Sequence, residues 1–118
     1  MGENHRAVGT HMERLAERYL VALGYRILER NYRCKLGEID LIGLEKKILA
    51  FIEVKYRSSG CYGDPTCAVN YKKRRTICRV ASYFRMTHPW LSSYQCRFDI
   101  VAITPSQIVL YRNAFESC

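Results

Sequence analysis

Residues 37–57, GEIDLIGLEKKILAFIEVKYR, restrict the fold of this chain more than any other stretch, because they set charges inside two apolar runs. Ile39, Leu41 and Ile42 form the first run and residues 48–54 the second, with Gly43 and Glu45-Lys46-Lys47 supplying a turn, so the stretch reads as a β-hairpin. Asp40 interrupts the first run, Glu53 the second, and Lys55 follows two positions on. Side chains alternate faces along a strand, which puts Glu53 and Lys55 on one side, and Asp40 joins them if the register brings it across. An uncompensated ion in such a place costs several kcal/mol, and a chain selected for stability alone would carry Val or Thr there. The charges imply a use.

Two neighbouring carboxylates repel unless a cation lies between them, and hard oxygen donors with positions left for water suit Mg²⁺ or Mn²⁺ better than zinc. Such a cation polarises a phosphate oxygen and acidifies a bound water, while a nearby ammonium orients that water or offsets charge developing on phosphorus. Asp40 and Glu53 are therefore the candidate metal ligands, Lys55 is the candidate catalytic ammonium, and the chemistry is phosphodiester hydrolysis.

Gly37-Glu38-Ile39-Asp40-Leu41-Ile42 together with Phe51-Ile52-Glu53-Val54-Lys55-Tyr56-Arg57 resembles the YraN family of uncharacterised bacterial proteins. That family is regarded as distantly similar to archaeal Holliday-junction resolvases within the restriction-endonuclease-like, PD-(D/E)xK superfamily. The likeness continues in Gly24-Tyr25-Arg26-Ile27-Leu28, Asn31-Tyr32-Arg33, Arg97-Phe98-Asp99-Ile100-Val101 and Asn113-Ala114-Phe115, and so covers about residues 13–115. It implies an α/β sandwich, with a mixed central sheet of about five strands flanked by helices in the order α-β-β-β-α-β-β. It also implies a Mg²⁺- or Mn²⁺-dependent endonuclease acting on DNA rather than RNA, on branched or recombination-intermediate structures; a homodimer, as in the resolvases, is left open. Glu13 matches the acidic position that this superfamily often places on its first helix beside the metal, and Lys72 matches a helix lysine of the family.

The 118 residues suffice for one domain with a real core, and residues 1–9 read as a flexible N-terminal extension. Nineteen Lys and Arg against eleven Asp and Glu give a net charge of +8, which favours an anionic partner such as nucleic acid. No apolar run is long enough to span a bilayer and the N-terminus leads into no signal-peptide core, so the expected location is the cytoplasm, away from membranes. The six cysteines contain no C-x-x-C pair, and His5, His11 and His88 are not spaced with them as zinc ligands. Cys78 and Cys96 fall in apolar patterns and read as small buried residues.

Along the chain, Met12, Leu15, Ala16, Tyr19, Leu20 and Leu23 recur at the spacing of one helical face, with Gly24 as the stop. Thr10 and Glu13 have capping-box spacing, which gives Glu13 two competing roles: reaching back to the Thr10 amide, or facing the metal. A first strand follows from Tyr25, ending near Asn31, and Arg30, Arg33 and Lys35 form a basic rim ahead of Asp40. Glu38 reads as a hairpin-end carboxylate paired with Lys55 or an arginine, the alternative being a second acid near the metal, and Arg57 as a phosphate contact or a carboxylate partner. A second helix is expected over about residues 65–86, since Ile77, Val80, Ala81 and Phe84 share a face and Val69 extends it upstream. Lys72, Lys73, Arg74 and Arg75 sit on its early turns as candidate phosphate contacts, Lys72 facing the site and the others solvated or on the nucleic-acid backbone. Trp90 is read as packing against its own domain. Residues 96–103 and 108–111 alternate as two last strands, with Asp99 paired to Arg97.

Two further classes of function remain open at this point. One is a catalytically silent nucleic-acid-binding module on the same fold; the other is an interaction subunit whose basic face meets an acidic protein.

Overall fold

The computed structural model describes residues 5–57 and 69–116. Helix α1 (His5–Ala22) is followed by three strands, β1 (Arg26–Cys34), β2 (Gly37–Glu45) and β3 (Ile48–Tyr56). Helix α2 (Tyr71–Thr87), a short 3-10 turn at Pro89–Leu91, and strands β4 (Gln95–Ile103) and β5 (Ile108–Phe115) complete the order. This is the α/β arrangement anticipated above. The sheet runs β1-β2-β3-β4-β5, antiparallel except between β3 and β4, which are parallel because α2 carries the chain across between them.

Each face of the sheet has its own core. On one, Ala16 and Leu20 of α1 pack with Tyr25, Leu41, Ala50, Ile52, Val101 and Ile103. On the other, Ile77, Val80, Ala81 and Phe84 of α2 pack with Ile39, Ile42, Leu49, Phe51, Phe98 and Ile100. The two central strands contribute alternately to both cores, which is why they read as nearly continuous apolar runs. Val69 is buried in the second core although it precedes α2, whose N-cap is Asn70 accepting the Lys73 amide at 2.9 Å. The helix therefore starts later than the periodicity placed it, and the turn residues 58–60 and 63–65 lie outside the described residues.

Several boundaries differ from expectation for physical reasons. Helix α1 begins at His5, so residues 5–9 are helical and Thr10 is inside the helix, where it cannot act as an N-cap. That removes the capping-box role for Glu13. The helix ends as anticipated: Gly24 takes φ +107°, and the Tyr25 amide returns to the Leu20 carbonyl at 3.0 Å. Strand β1 does not end near Asn31 but continues to Cys34: Asn31 takes a left-handed φ of +50° inside the strand, and the register with β2 holds from Arg30↔Leu41 to Tyr32↔Ile39. At Gly37, with φ +146°, a Cβ would lie 2.5 Å from the Thr76 methyl, so only glycine lets this turn close against α2.

Candidate active site

Strands β2 and β3 form a fork. Their register runs from Glu45↔Ile48 to Leu41↔Ile52 and stops there, although β2 still pairs with β1 as far as Gly37. One step past the last pair, Asp40 and Glu53 come opposite each other. Asp40 enters the gap with its carboxylate, and Oδ2 accepts the Val54 amide at 2.8 Å in place of a backbone carbonyl. Asn31, the residue across from Asp40 on β1, has the left-handed backbone noted above, so the acid sits between a left-handed residue on β1 and the end of the β2–β3 pairing.

Glu53 is 5% exposed and points toward the α2 layer. Its nearest cations are the Lys73 ammonium at 3.8 Å and the Lys55 ammonium at 3.9 Å, both measured to Oε2. These are ion-pair distances beyond hydrogen-bond length, so much of the buried charge is left uncompensated. Burial first, and then the adjacent Asp40 carboxylate with which it shares a hydrogen bond, push Glu53 up to about pKa 8 against the two lysines. Glu13 approaches Asp40 from α1. Burial raises its pKa, the Asp40 charge adds to that, and a hydrogen bond with Asn31 opposes it. Three acids thus line up as Glu13, Asp40 and Glu53, with Asp40 in the middle.

The donor chemistry fits a divalent cation. Two carboxylates that cannot comfortably ionise together, in a half-buried fork, are relieved by hard positive charge between them. Among the described residues no three His, Cys, Asp or Glu side chains converge as a ready-made cage, so Asp40 and Glu53 are the residues that would hold such a cation, with water completing its sphere.

With that geometry in view, comparison with known proteins is informative. The model of the uncharacterised protein family UPF0102 matches residues 12–103. This chain belongs to that family. The UPF0102 protein of Saccharophagus degradans is 44% identical over 111 residues, which cover 94% of each chain. That of Lachnoclostridium phytofermentans is 41% identical over 114 residues, covering 97% of each, and that of Caldicellulosiruptor bescii is 46% identical over 118 residues, covering 95% of this chain and 99% of its own. The UPF0102 family is the YraN family that the motifs resembled, and Glu13, Asp40, Glu53, Lys55 and Lys73 all fall in the matched segment.

The UPF0102 chain brings together fewer of the candidate phosphate contacts than acids. Lys73, not Lys72, reaches Glu53; Lys72 is exposed. The helical spacing carried the signal, since Lys73 lies four residues before Ile77 on the buried stripe. Arg74 is half-buried, and its Nε has no hydrogen-bond partner among the described residues. Arg33 is taken up by Glu38 at 3.1 Å on the surface, the cation pairing anticipated for Glu38. Arg57 follows β3 and is exposed, its amide bonded to the Ile103 carbonyl at 2.9 Å. Trp90 is 70% exposed, contrary to the packing role read for it, and touches the His88 ring edge-on with centroids 5.0 Å apart. Cys78 is buried and Cys96 half-buried. No helix among the described residues is long and apolar enough to cross a membrane.

Asp99 has no part in the fork. It is completely buried and accepts from Tyr25 Oη at 2.8 Å, Arg97 Nε at 2.8 Å and the Asn113 amide at 3.0 Å, so the Asp99–Arg97 pair is structural. Sequence reasoning missed the second acid of this network, Glu45, which binds Arg97 and Arg112, each at 2.6 Å. Glu45 stands in the β2–β3 turn region and its partners are 52 and 67 residues away, so no local spacing could reveal it.

Proposed function

We propose that this protein is a Mg²⁺- or Mn²⁺-dependent endonuclease that hydrolyses phosphodiester bonds in DNA, acting on branched or recombination-intermediate structures in the cytoplasm. The observation carrying this reading is the pairing of buried Glu53 with half-buried Asp40 in the fork of the sheet, with an ammonium 3.9 Å from Glu53. A fold gains nothing in stability from two apposed acids whose charge is left uncompensated. When bound between them, a divalent cation supplies the charge that polarises a phosphate oxygen and acidifies a water.

The protein's own groups then have distinct tasks. The Val54 amide fixes Asp40 Oδ2, which orients the carboxylate without flexible side-chain searching. Glu53 supplies the facing oxygen from a rigid central strand. Lys55, on the same face of β3, can hold a water or meet negative charge on the phosphate with its three donors. Lys73 brings a second ammonium from the first turn of α2, suited to a non-bridging phosphate oxygen, and Glu13 backs Asp40 from the α1 side. The net charge of +8 supplies long-range attraction for a polyanion.

The test is cleavage of duplex, flap and four-way-junction DNA in Mg²⁺ and in Mn²⁺, comparing wild type with Asp40→Asn and Lys55→Ala. Each variant is expected to lose at least about a hundredfold in rate. Equal residual cleavage by all three proteins would overturn the reading and identify a contaminant. Pairing of two copies, which symmetrical cutting of a four-way junction calls for, is read by light scattering with and without the DNA.

A second reading has one observation in its favour: two ammonium groups already lean on Glu53 Oε2, where a cation would sit. On that reading the protein is a silent binding module, and salt-sensitive DNA binding persists in Asp40→Asn with no cleavage by any form.

A further inference from the structure

Helix α2 carries two different faces. Lys73, Ile77, Val80 and Phe84 turn inward, whereas Tyr71, Arg75, Arg79 and Tyr83 follow each other at four-residue steps on the outside. This outer stripe lines a cavity of about 670 Å³, with Leu36 and Met86 also on its wall. Tyr71 is 61% exposed and Met86 72%, an unusual outlay of large apolar side chains on one helix face. The Arg75 guanidinium lies over the Tyr71 ring, 5.9 Å from its centroid.

We propose that this groove holds a single-stranded segment of nucleic acid and leads it to the Asp40–Glu53 fork. The inference deepens the endonuclease reading and rests on it for what happens at the fork. Its own support is separate. Aromatic faces interleaved with arginines, in the order Tyr-Arg-Arg-Tyr, are what unpaired bases and their phosphates require, and the stripe extends about 18 Å at the helical rise of ~1.5 Å per residue. A second copy of this chain fits poorly, since a two-fold contact here would set Arg75 and Arg79 against their own images between two chains of +8. An acidic peptide or an anionic membrane would also satisfy the charge. The two stacking rings decide for nucleic acid, and Leu36 on the groove wall directly precedes β2, the strand that carries Asp40 at the fork. An unpaired strand next to duplex is also what a flap or a branched junction presents.

The experiment is fluorescence anisotropy of a short fluorescein-labelled oligothymidylate and of a matched duplex, in EDTA so that no strand is cut. Tyr71→Ala combined with Tyr83→Ala is expected to weaken oligothymidylate binding between about fivefold and a hundredfold, with far less effect on duplex. Tyr71→Phe with Tyr83→Phe should retain wild-type binding, because the stacking face is kept. Arg75→Ala and Arg79→Ala should each flatten the salt dependence, lowering the slope of log affinity against log salt by about 0.7. Melting curves establish that each variant is folded. Unchanged oligothymidylate binding in the folded double alanine variant would overturn the proposal. So would capture of phosphatidylglycerol vesicles or a glutamate-rich peptide that oligothymidylate fails to displace. Binding in EDTA reads the groove alone, while cleavage in Mn²⁺ reads the carboxylate pair, so failure of one is distinguishable from failure of the other.

Discussion

Two clusters of buried charge lie one strand position apart, and they are compensated in opposite ways. Asp99 stands beside Ile52 in the β3–β4 register and faces the α1 layer; Glu53, the next residue on β3, faces the α2 layer. Asp99 is met by Tyr25, by Arg97 through two nitrogens and by the Asn113 amide, all within 3.0 Å. The same network reaches Glu45, which hydrogen bonds from Arg112 and Arg97 hold down to about pKa 2 against its burial. Glu53 has two ammonium groups no closer than 3.8 Å and another acid beside it, and it is pushed up to about 8. Both sites bear the desolvation of ions, but only one recovers it within the chain. Burial of charge is therefore a poor sign of function by itself. The sign is what burial leaves unpaired.

The largest effects separate the clusters by readout. Asp40→Asn and Glu53→Gln are expected to lower cleavage by about a hundredfold to a thousandfold, with no loss of stability to urea in EDTA. Asp99→Ala is expected to cost about 3–5 kcal/mol in the same urea titration, because it leaves the Arg97 guanidinium buried against a lost partner. The protein that remains folded should cut at the wild-type rate. If Asp40→Asn unfolds the chain, or Asp99→Ala abolishes cleavage while folded, the distinction between the two clusters fails.

Next in size is the opposite pH response of the two glutamates. Glu53 has a folded pKa of about 8 above its ordinary value of 4.5, so its contribution is fully present below 4.5 and is lost as pH rises through 8. At ~1.4 kcal/mol per unit this amounts to a few kcal/mol. Glu45 runs the other way: its contribution is present above 4.5 and is lost as pH falls through about 2. Urea midpoints measured in EDTA from about pH 3 to about pH 9 check both signs. Glu53→Gln should flatten the alkaline limb and Glu45→Gln the acid limb, each leaving the other limb in place. Flattening of the same limb by both variants would refute the sign assigned to one of them.

Much of the fork was legible in the sequence because it is local. Asp40, Glu53 and Lys55 lie on adjacent strands joined by a tight turn, so alternation alone fixed which side chains share a face, and a short register shift was all that remained open. The helix face carrying Ile77, Val80, Ala81 and Phe84 was legible for the same reason. What escaped was whatever depended on distant segments. Glu45 finds Arg97 and Arg112 only after α2 has carried the chain across to β4, and Trp90 is left exposed because the 3-10 turn buries Leu91 instead. The first strand reads as ending near Asn31; asparagine's tolerance of left-handed backbone lets it sit inside β1 opposite Asp40 instead. Thr10 shows a sequence signature overridden by helix that continues upstream of it.

The smallest effect gives the finest test of the fork. Lys73 and Lys72 are neighbours of the same charge, yet only Lys73 reaches Glu53, and its side chain remains 37% exposed. Solvent screening limits what such a pair contributes, so Lys73→Met is expected to cost only about 0.5–1 kcal/mol. That cost should appear above pH 8, where Glu53 is ionised, and vanish below pH 4.5, where Glu53 is protonated and has no charge to pair. Lys72→Met should stay within about 0.5 kcal/mol at either pH. The difference between the two urea midpoints, taken at both pH values, isolates the Lys73–Glu53 contact from any general effect of removing a positive charge. Equal costs for the two lysines above pH 8 would mean that the ammonium at 3.8 Å does not sense the Glu53 carboxylate, and that the under-compensation of the fork is greater than its geometry indicates.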